Sequence, residues 1–270
     1  MKPVTIHTLA SMKQKGEKIS ALTAYDALMA MLLDKAGIDF ILVGDSCATV
    51  VQGESSTLPM TMSHTLYHTK IVRKGVQRAL LVADMPFMSY QESLSKAIRN
   101  AGRLFQQAGV DAVKIEGGAE MAETIQKIAR AGMPVMGHLG LTPQSVKQFG
   151  GYKLQAATRA SADKLINDAR VVQDAGAFAL VLEKIPQTLA RQVTQALDIP
   201  TIGIGAGPHC DGQILVSHDI LGLFQAFQPR FVRRYADLAS EMSQAFTRYI
   251  KDVKDGNFPA PEESYDSEIE

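Results

Sequence analysis

A chain of 270 residues is long enough to bury one large core, and an α/β barrel commonly fills this length as a single domain. Its 28 basic residues balance 28 acidic ones, so no net field exists to recruit nucleic acid or an anionic membrane surface. Cys47 and Cys210 stand without CxxC spacing or flanking histidine pairs, which argues against a disulfide framework and a structural zinc site. The N-terminal MKPVTIHTLASMKQKG is polar where a signal peptide needs an apolar stretch, and no run approaches ~18 apolar residues, so the expectation is a cytoplasmic chain without a membrane span.

In chain order, short runs rich in Val, Ile, Leu and Ala alternate with longer segments of helical spacing. The runs are ISALTAY (19–25), FILVGDS (40–46), ALLVADM (79–85), DAVKIEG (111–117), PVMGHLG (134–140), FALVLEK (178–184), PTIGIGA (200–206) and GQILVSHD (212–219). They lack strict apolar and polar alternation, which is the pattern of parallel strands covered on both faces. ALMAMLLDKAG after the first run and AEMAETIQKIARAG after the fourth read as helices, each closed by a glycine. Eight strand and helix units predict a (β/α)8 barrel with C-terminal helices, and the missing GxGxxG after the first strand counts against a dinucleotide fold.

Two long connections, CATVVQGESSTLPMTMS after the second strand and LGLTPQSVKQFGGYKLQAATRAS after the fifth, begin at the carboxyl ends of strands, where barrel active sites sit. RFVRRYADLASEMSQAFTRYIKDVKDG reads as one or two final helices. The expected organisation is a catalytic barrel over 1–256 followed by an acidic, flexible tail over 257–270.

Four of the strand runs stop on carboxylates: Asp45, Asp84, Glu116 and Glu183. On parallel strands these acids emerge together at the carboxyl rim of a barrel. Converging carboxylates repel and call for a cation, and hard oxygen ligands favour Mg²⁺ with positions left for water and substrate. Each acid taken singly also fits a helix cap or a surface ion pair. Lys114 shares a strand face with Glu116, either to hold a substrate carboxylate or to neutralise the acids. His138 is a donor for a developing oxyanion or a structural histidine. GIGAG (203–207) offers backbone amides where barrels hold phosphate, although glycines there also serve tight turns. His68, His209 and His218 read as structural, and Cys47 lacks an adjacent base.

Together VGDS, STLPMT, ADMPF, VKIEGG, GHLGLTPQS, GGYK, and IGIGAG followed by DGQILV and HD resemble the ketopantoate hydroxymethyltransferase family over residues 3–255. The resemblance implies transfer of a hydroxymethyl group from 5,10-methylenetetrahydrofolate to 3-methyl-2-oxobutanoate, giving 2-dehydropantoate in pantothenate biosynthesis with Mg²⁺ as cofactor. It makes Asp45, Asp84 and Glu116 metal ligands, Glu116 through a metal-bound water, and Glu183 the general base. Asp45, Ser46, Asp84, Lys114 and His138 become substrate contacts. It also implies a homo-oligomer, a decamer, with no nucleic-acid or membrane partner. Departures from the family pattern are Cys47 and Ala48 where many members carry Leu-Gly, and Ala156 where glycine is common. The rival readings are a phosphoenolpyruvate mutase or isocitrate lyase relative, disfavoured because GGAEMAET and LTPQSVKQ contain no cysteine, and a non-catalytic phosphate-binding barrel.

Overall fold

Alternation of side chains along each strand sets what the interior contains. In the computed structural model, which describes residues 2–225 and 227–266, all eight expected strands form. They are β1 (Ile19–Thr23), β2 (Phe40–Val43), β3 (Leu80–Asp84), β4 (Ala112–Glu116), β5 (Val135–Gly140), β6 (Ala179–Glu183), β7 (Thr201–Ile204) and β8 (Gly212–Leu215). Each pairs in parallel with its sequence neighbours, and β8 returns to β1 with Gly212 opposite Ile19, closing the barrel.

Phe40, Leu42, Leu80, Val82, Ala112 and Met136 belong to one buried cluster that fills the barrel. Their neighbours Ile41, Val43, Leu81, Ala83, Val113 and Ile115 belong to another, shared with the helices outside. Continuing the inward set by steps of two reaches Asp84, Lys114, Glu116, His138 and Glu183. The alternation that packs the lower barrel therefore delivers polar groups to its upper layer.

The helices of this unit are α1 (Ile6–Lys15), α2 (Ala27–Ala36), α3 (Cys47–Val50), α4 (Met62–Gly75), α5 (Leu94–Arg103), α6 (Ala122–Arg130), α7 (Val146–Phe149), α8 (Arg159–Asp174) and α9 (Gln187–Ala196). Leu9 of α1 joins the interior cluster, so α1 covers the amino-terminal mouth. Asp26 starts α2 by accepting a hydrogen bond from the Met29 N–H at 2.8 Å, and Gly37 ends it in the left-handed region at φ 89°. Thr158 and Ser161 form a capping box at the start of α8. β7 and β8 are joined by residues 205–211 with no helix, a departure from the expected eight strand and helix units. A Cβ at Gly207 would come within 2.4 Å of Gln187 Cβ, so this glycine serves a turn against α9.

The described residues fall into two compact units, one ending at Ser217 and one beginning at His218. Short helix α10 (Ser217–Ile220) crosses the division, and the second unit carries α11 (Leu238–Asp255), ended by Gly256 at φ 74°. One helix forms where one or two were expected, and it starts only at Leu238. The N–H groups of Tyr235 and Leu238 are bonded to the carbonyls of Ile220 and Leu221 at 2.7 and 2.9 Å, which holds the preceding segment out of the helix. Residues 257–266 contain a single turn of 3-10 helix at Pro261–Glu263; the last four residues of the expected tail lie outside the described residues. Among the described residues no helix is long and apolar enough to cross a membrane.

The two departures from the family pattern resolve differently. Ala48 lies in α3 with ordinary helical geometry, so nothing there demands glycine. Ala156 has φ 52°, a left-handed conformation in which an L side chain is strained. The strain is worth about 1–2 kcal/mol, and a glycine gives back roughly 0.4–1 kcal/mol through its freer unfolded chain. Ala156→Gly is therefore expected to stabilise by up to ~1.6 kcal/mol, read as a higher midpoint in urea unfolding; a lower midpoint would contradict the strain.

Asp34 is a second point of leverage. Its carboxylate accepts from the N–H groups of Gln77, Arg78 and Ala79, which tie α2 to the start of β3. Burial acts to raise its pKa, but these donors and the Arg78 charge prevail and lower it. A depressed folded pKa contributes stability above the unfolded value of about 3.9 and loses it as pH falls through the folded one. Asp34→Asn should cost about 1–3 kcal/mol at neutral pH, and the gap from the unsubstituted chain should narrow below about pH 4 in unfolding curves taken across pH. A gap independent of pH would rule out the carboxylate charge as its source.

Candidate active site

Three of the four sequence-marked acids are the last residues of their strands: Asp84 of β3, Glu116 of β4 and Glu183 of β6. Asp45 is not, because β2 ends at Val43 and Asp45 lies in the turn that follows. Gly44 makes that turn possible. A Cβ at this inward position would lie 2.8 Å from Ser46 Oγ and 3.5 Å from Asp84 Oδ2, whereas its absence lets the Asp45 N–H donate to Asp84 Oδ2 at 2.9 Å.

Lys114 sits among these groups with its side chain 4% exposed. Its Nζ lies 2.7 Å from Asp84 Oδ1 and 3.4 Å from Glu116 Oε1. His138 Nδ1 is 3.1 Å from the same ammonium and 3.3 Å from Glu116 Oε1, and His138 Nε2 is 3.3 Å from Glu183 Oε2. Strand register explains the adjacency, since Asp84 pairs with Lys114 and Glu116 with His138 across the sheet. Glu183 is the outermost member, with its side chain 14% exposed, and Leu141 N–H bonds its carbonyl at 2.8 Å. The Ser46 hydroxyl is 2.7 Å from Tyr25 OH. All seven sequence-marked residues thus converge on the carboxyl mouth of the barrel, Ser46 from its edge.

Three residues absent from the sequence reading join them. Gln144, in the 3-10 turn Pro143–Ser145 after β5, donates from its side chain to Asp45 Oδ2 at 3.1 Å and from its backbone to Glu116 Oε2 at 3.0 Å. Tyr90 OH donates to Gln144 Oε1 at 2.9 Å and accepts the Glu116 N–H at 3.1 Å. Tyr152, from the loop after α7, is half exposed and feels the charges of Asp45 and Glu183. GHLGLTPQS carries Gln144, but an amide in a loop motif has no spacing signature that distinguishes a buried hydrogen-bonding hub from a solvated side chain.

Burial and then the charges of Asp84 and Glu116 push Asp45 well above the usual carboxylate range. Burial also raises Asp84, against the pull of Lys114. For Glu116 burial is outweighed by Lys114, His138 and the Gln144 N–H, so its pKa falls. Lys114 loses from burial but gains more from Asp84, Glu116 and Asp45, and stays charged. His138 is raised because Glu116 and Glu183 overcome burial and the Lys114 charge. Burial pushes the Cys47 thiol up to about 12, which removes it as a nucleophile near neutral pH.

Three buried carboxylates against one lysine leave a surplus of negative charge that suits a divalent cation. Asp84 Oδ1 is buried and, among the described residues, has no aligned hydrogen bond despite its ion pair with Lys114. Among the described residues no three His, Cys, Asp or Glu side chains are grouped so as to hold a metal ion as they stand. The hard oxygen donors of Asp45, Asp84 and Glu116 suit Mg²⁺ chemically, because that ion binds through one or two carboxylates and keeps several waters.

Lys114 is the counter-charge on which the network rests. In metal-free buffer Lys114→Met should destabilise the chain by about 3–5 kcal/mol, the usual cost of stripping a partner from a buried ion pair, measured as a lower urea midpoint. An unchanged midpoint would mean that the acids are accommodated without it.

A profile of the family described as Ketopantoate hydroxymethyltransferase matches residues 3–261. The 3-methyl-2-oxobutanoate hydroxymethyltransferase of Chlorobium phaeobacteroides is 56% identical over 266 residues, covering 97% of this chain and 96% of the relative. Its namesake from Syntrophus aciditrophicus is 52% identical over 262 residues, with coverage of 97% and 96%. Among solved structures, phosphoenolpyruvate phosphomutase from Streptomyces platensis subsp. rosaceus aligns with a TM-score of 0.63 at 16% identity, over 95% of this chain and 92% of that one. A phosphonopyruvate hydrolase in complex with oxalate and Mg²⁺ aligns at 0.61 and 14%, over 96% and 92%. At those identities the two structures share the fold alone. A profile that spans nearly the whole chain, with relatives more than half identical along it, leaves one assignment: the chain belongs to the ketopantoate hydroxymethyltransferase family.

Proposed function

We propose that this protein transfers a hydroxymethyl group from 5,10-methylenetetrahydrofolate to 3-methyl-2-oxobutanoate, giving 2-dehydropantoate and tetrahydrofolate with consumption of one water. The observation that carries the reading is the joining of a buried acid and lysine network to Glu183, the most exposed of these acids. Asp45, Asp84 and Glu116 would hold Mg²⁺. The ion, when bound, draws charge from the keto and carboxylate oxygens of a 2-oxo acid and so acidifies its C3 proton.

The chain's own residues do the rest. The fixed charge of Lys114, desolvated at the mouth, attracts the substrate carboxylate, and Ser46, held by Tyr25, offers it a hydroxyl. Glu183 takes the C3 proton, with His138 Nε2 beside it to orient the carboxylate and steady the charge that forms. The electron pair left at C3 then bonds to the methylene carbon of the folate as one carbon–nitrogen bond breaks. Water cleaves the other, leaving its hydroxyl on the transferred carbon, and its remaining proton and the one taken by Glu183 go to the two folate nitrogens. Exposed apolar side chains on α2 (Leu28, Met31, Leu32) and α11 (Phe246, Tyr249, Ile250) support a homo-oligomer, and the resemblance implies a decamer.

Deuterium exchange isolates the first step. In D₂O with Mg²⁺, the C3 proton signal of 3-methyl-2-oxobutanoate should disappear in the NMR spectrum with catalytic amounts of protein. Glu183→Gln should slow that loss by about 10²- to 10⁴-fold, the usual contribution of a general base. No exchange in either the presence or the absence of tetrahydrofolate would defeat the proposal.

A further inference from the structure

Asp45 follows β2 and Glu116 ends β4, and these strands are not neighbours in the sheet because β3 lies between them. No backbone ladder sets the distance between these two carboxylates. Gln144 does so instead. Its side-chain amide donates to Asp45 Oδ2 and its backbone N–H donates to Glu116 Oε2. The same amide nitrogen donates to Met85 O at 3.0 Å, so the residue following β3 is held as well.

The orientation of that amide is dictated by its partners. Nε2 faces Asp45 Oδ2 and the Met85 carbonyl, the latter an obligate acceptor, whereas Oε1 faces Tyr90 OH and Gln91 Nε2 at 2.9 and 3.2 Å. Reversing it would set oxygen against oxygen on one side. Tyr90 completes the chain by accepting the Glu116 N–H while it donates to Gln144. Gln144 is 5% exposed, Tyr90 1%, Asp45 4% and Glu116 6%, so water does not replace these bonds.

We infer that Gln144, braced by Tyr90, is a positioning residue that fixes the separation of the Asp45 and Glu116 carboxylates for divalent-cation binding and enolate formation. The inference rests on the transferase reading above. Gln144 touches neither cation nor substrate in this role; it acts through the acids. One oxygen of each carboxylate is committed to Gln144, and Glu116 turns its other oxygen toward Lys114 and His138. The turn that carries Gln144 is closed by the Ser145 N–H to Thr142 carbonyl bond at 2.9 Å, which makes the brace part of the loop after β5.

The test compares the unsubstituted chain with Gln144→Met, which keeps length and volume but cannot hydrogen-bond, Gln144→Glu, which sets a carboxylate against Asp45, and Tyr90→Phe, which removes only the hydroxyl. Mn²⁺ alone is titrated by electron paramagnetic resonance, C3 exchange of 3-methyl-2-oxobutanoate is followed in D₂O, and unfolding is recorded for each protein. Gln144→Met should weaken Mn²⁺ binding by about 10- to 100-fold, the range for outer groups that orient metal ligands, and slow exchange in proportion. Gln144→Glu should fail to rescue, and Tyr90→Phe should shift both readouts in the same direction by less. Should Gln144→Met fail to fold, Tyr90→Phe decides the question. Mn²⁺ affinity and exchange unchanged in the folded variants would overturn the inference, whatever their melting temperatures. Absence of both signals in the unsubstituted chain would instead overturn the transferase reading itself, and this inference with it.

Discussion

The upper barrel depends on one buried cation. Lys114 lies on the inward face of β4 between the carboxylates of Asp84 and Glu116, with Asp45 adding to its field. Removing an ammonium from water costs several kcal/mol, and removing each carboxylate costs as much. Neither sign of charge could be held there alone. The groups are tolerated because they are placed within direct contact, on adjacent strands whose register sets Asp84 opposite Lys114 and Glu116 opposite His138.

The charges do not cancel. Three carboxylates face one lysine; burial, with the neighbouring acids adding to it, raises the pKa of Asp45 and Asp84, while Lys114, His138 and the Gln144 N–H keep Glu116 below its usual range. In the proposed function such an environment takes a cation through the acids and an anionic substrate through Lys114. In the proposed chemistry that division of labour separates the inner groups, which bind and polarise, from Glu183 at the rim, which moves a proton. His138 links the two sets by lying within 3.3 Å of both Glu116 and Glu183.

Backbone geometry around the mouth serves the same end. Gly44 allows the Asp45 amide to approach Asp84, and Gly140, at φ 93°, lets the chain pass where a Cβ would stand 2.2 Å from the Glu183 carbonyl. Lys184, beside the rim acid, adopts φ 49° and is held there by its side-chain bond to the Tyr152 carbonyl and by the Gln155 N–H on its own carbonyl. Non-glycine residues in that region are retained where the surroundings over-determine them. Here the surroundings are the long connection after β5, which the sequence marked as functional by its length, its start at a strand's carboxyl end and the motifs it carries.

Much of this was legible in the sequence because it depends on periods. Eight apolar runs at strand length, with helical segments between most of them, fix a parallel barrel. The carboxylates that stop those runs fall at the rim, since a parallel strand can deliver its last residue nowhere else. Parity on a strand was enough to put Lys114 beside Glu116. What periodicity does not encode is contact between segments distant along the chain. That Asp45 would be presented by a turn and not by β2, that Gln144 would bridge the ends of β2 and β4, and that Tyr90 would brace it are consequences of closing the barrel and folding the loop after β5 across its mouth. The sequence by itself determined which elements form and which residues face inward, because those follow from local spacing. Only the tertiary structure decided which polar atoms meet, because hydrogen bonds are specified by ångström-scale approach between groups that local spacing leaves free.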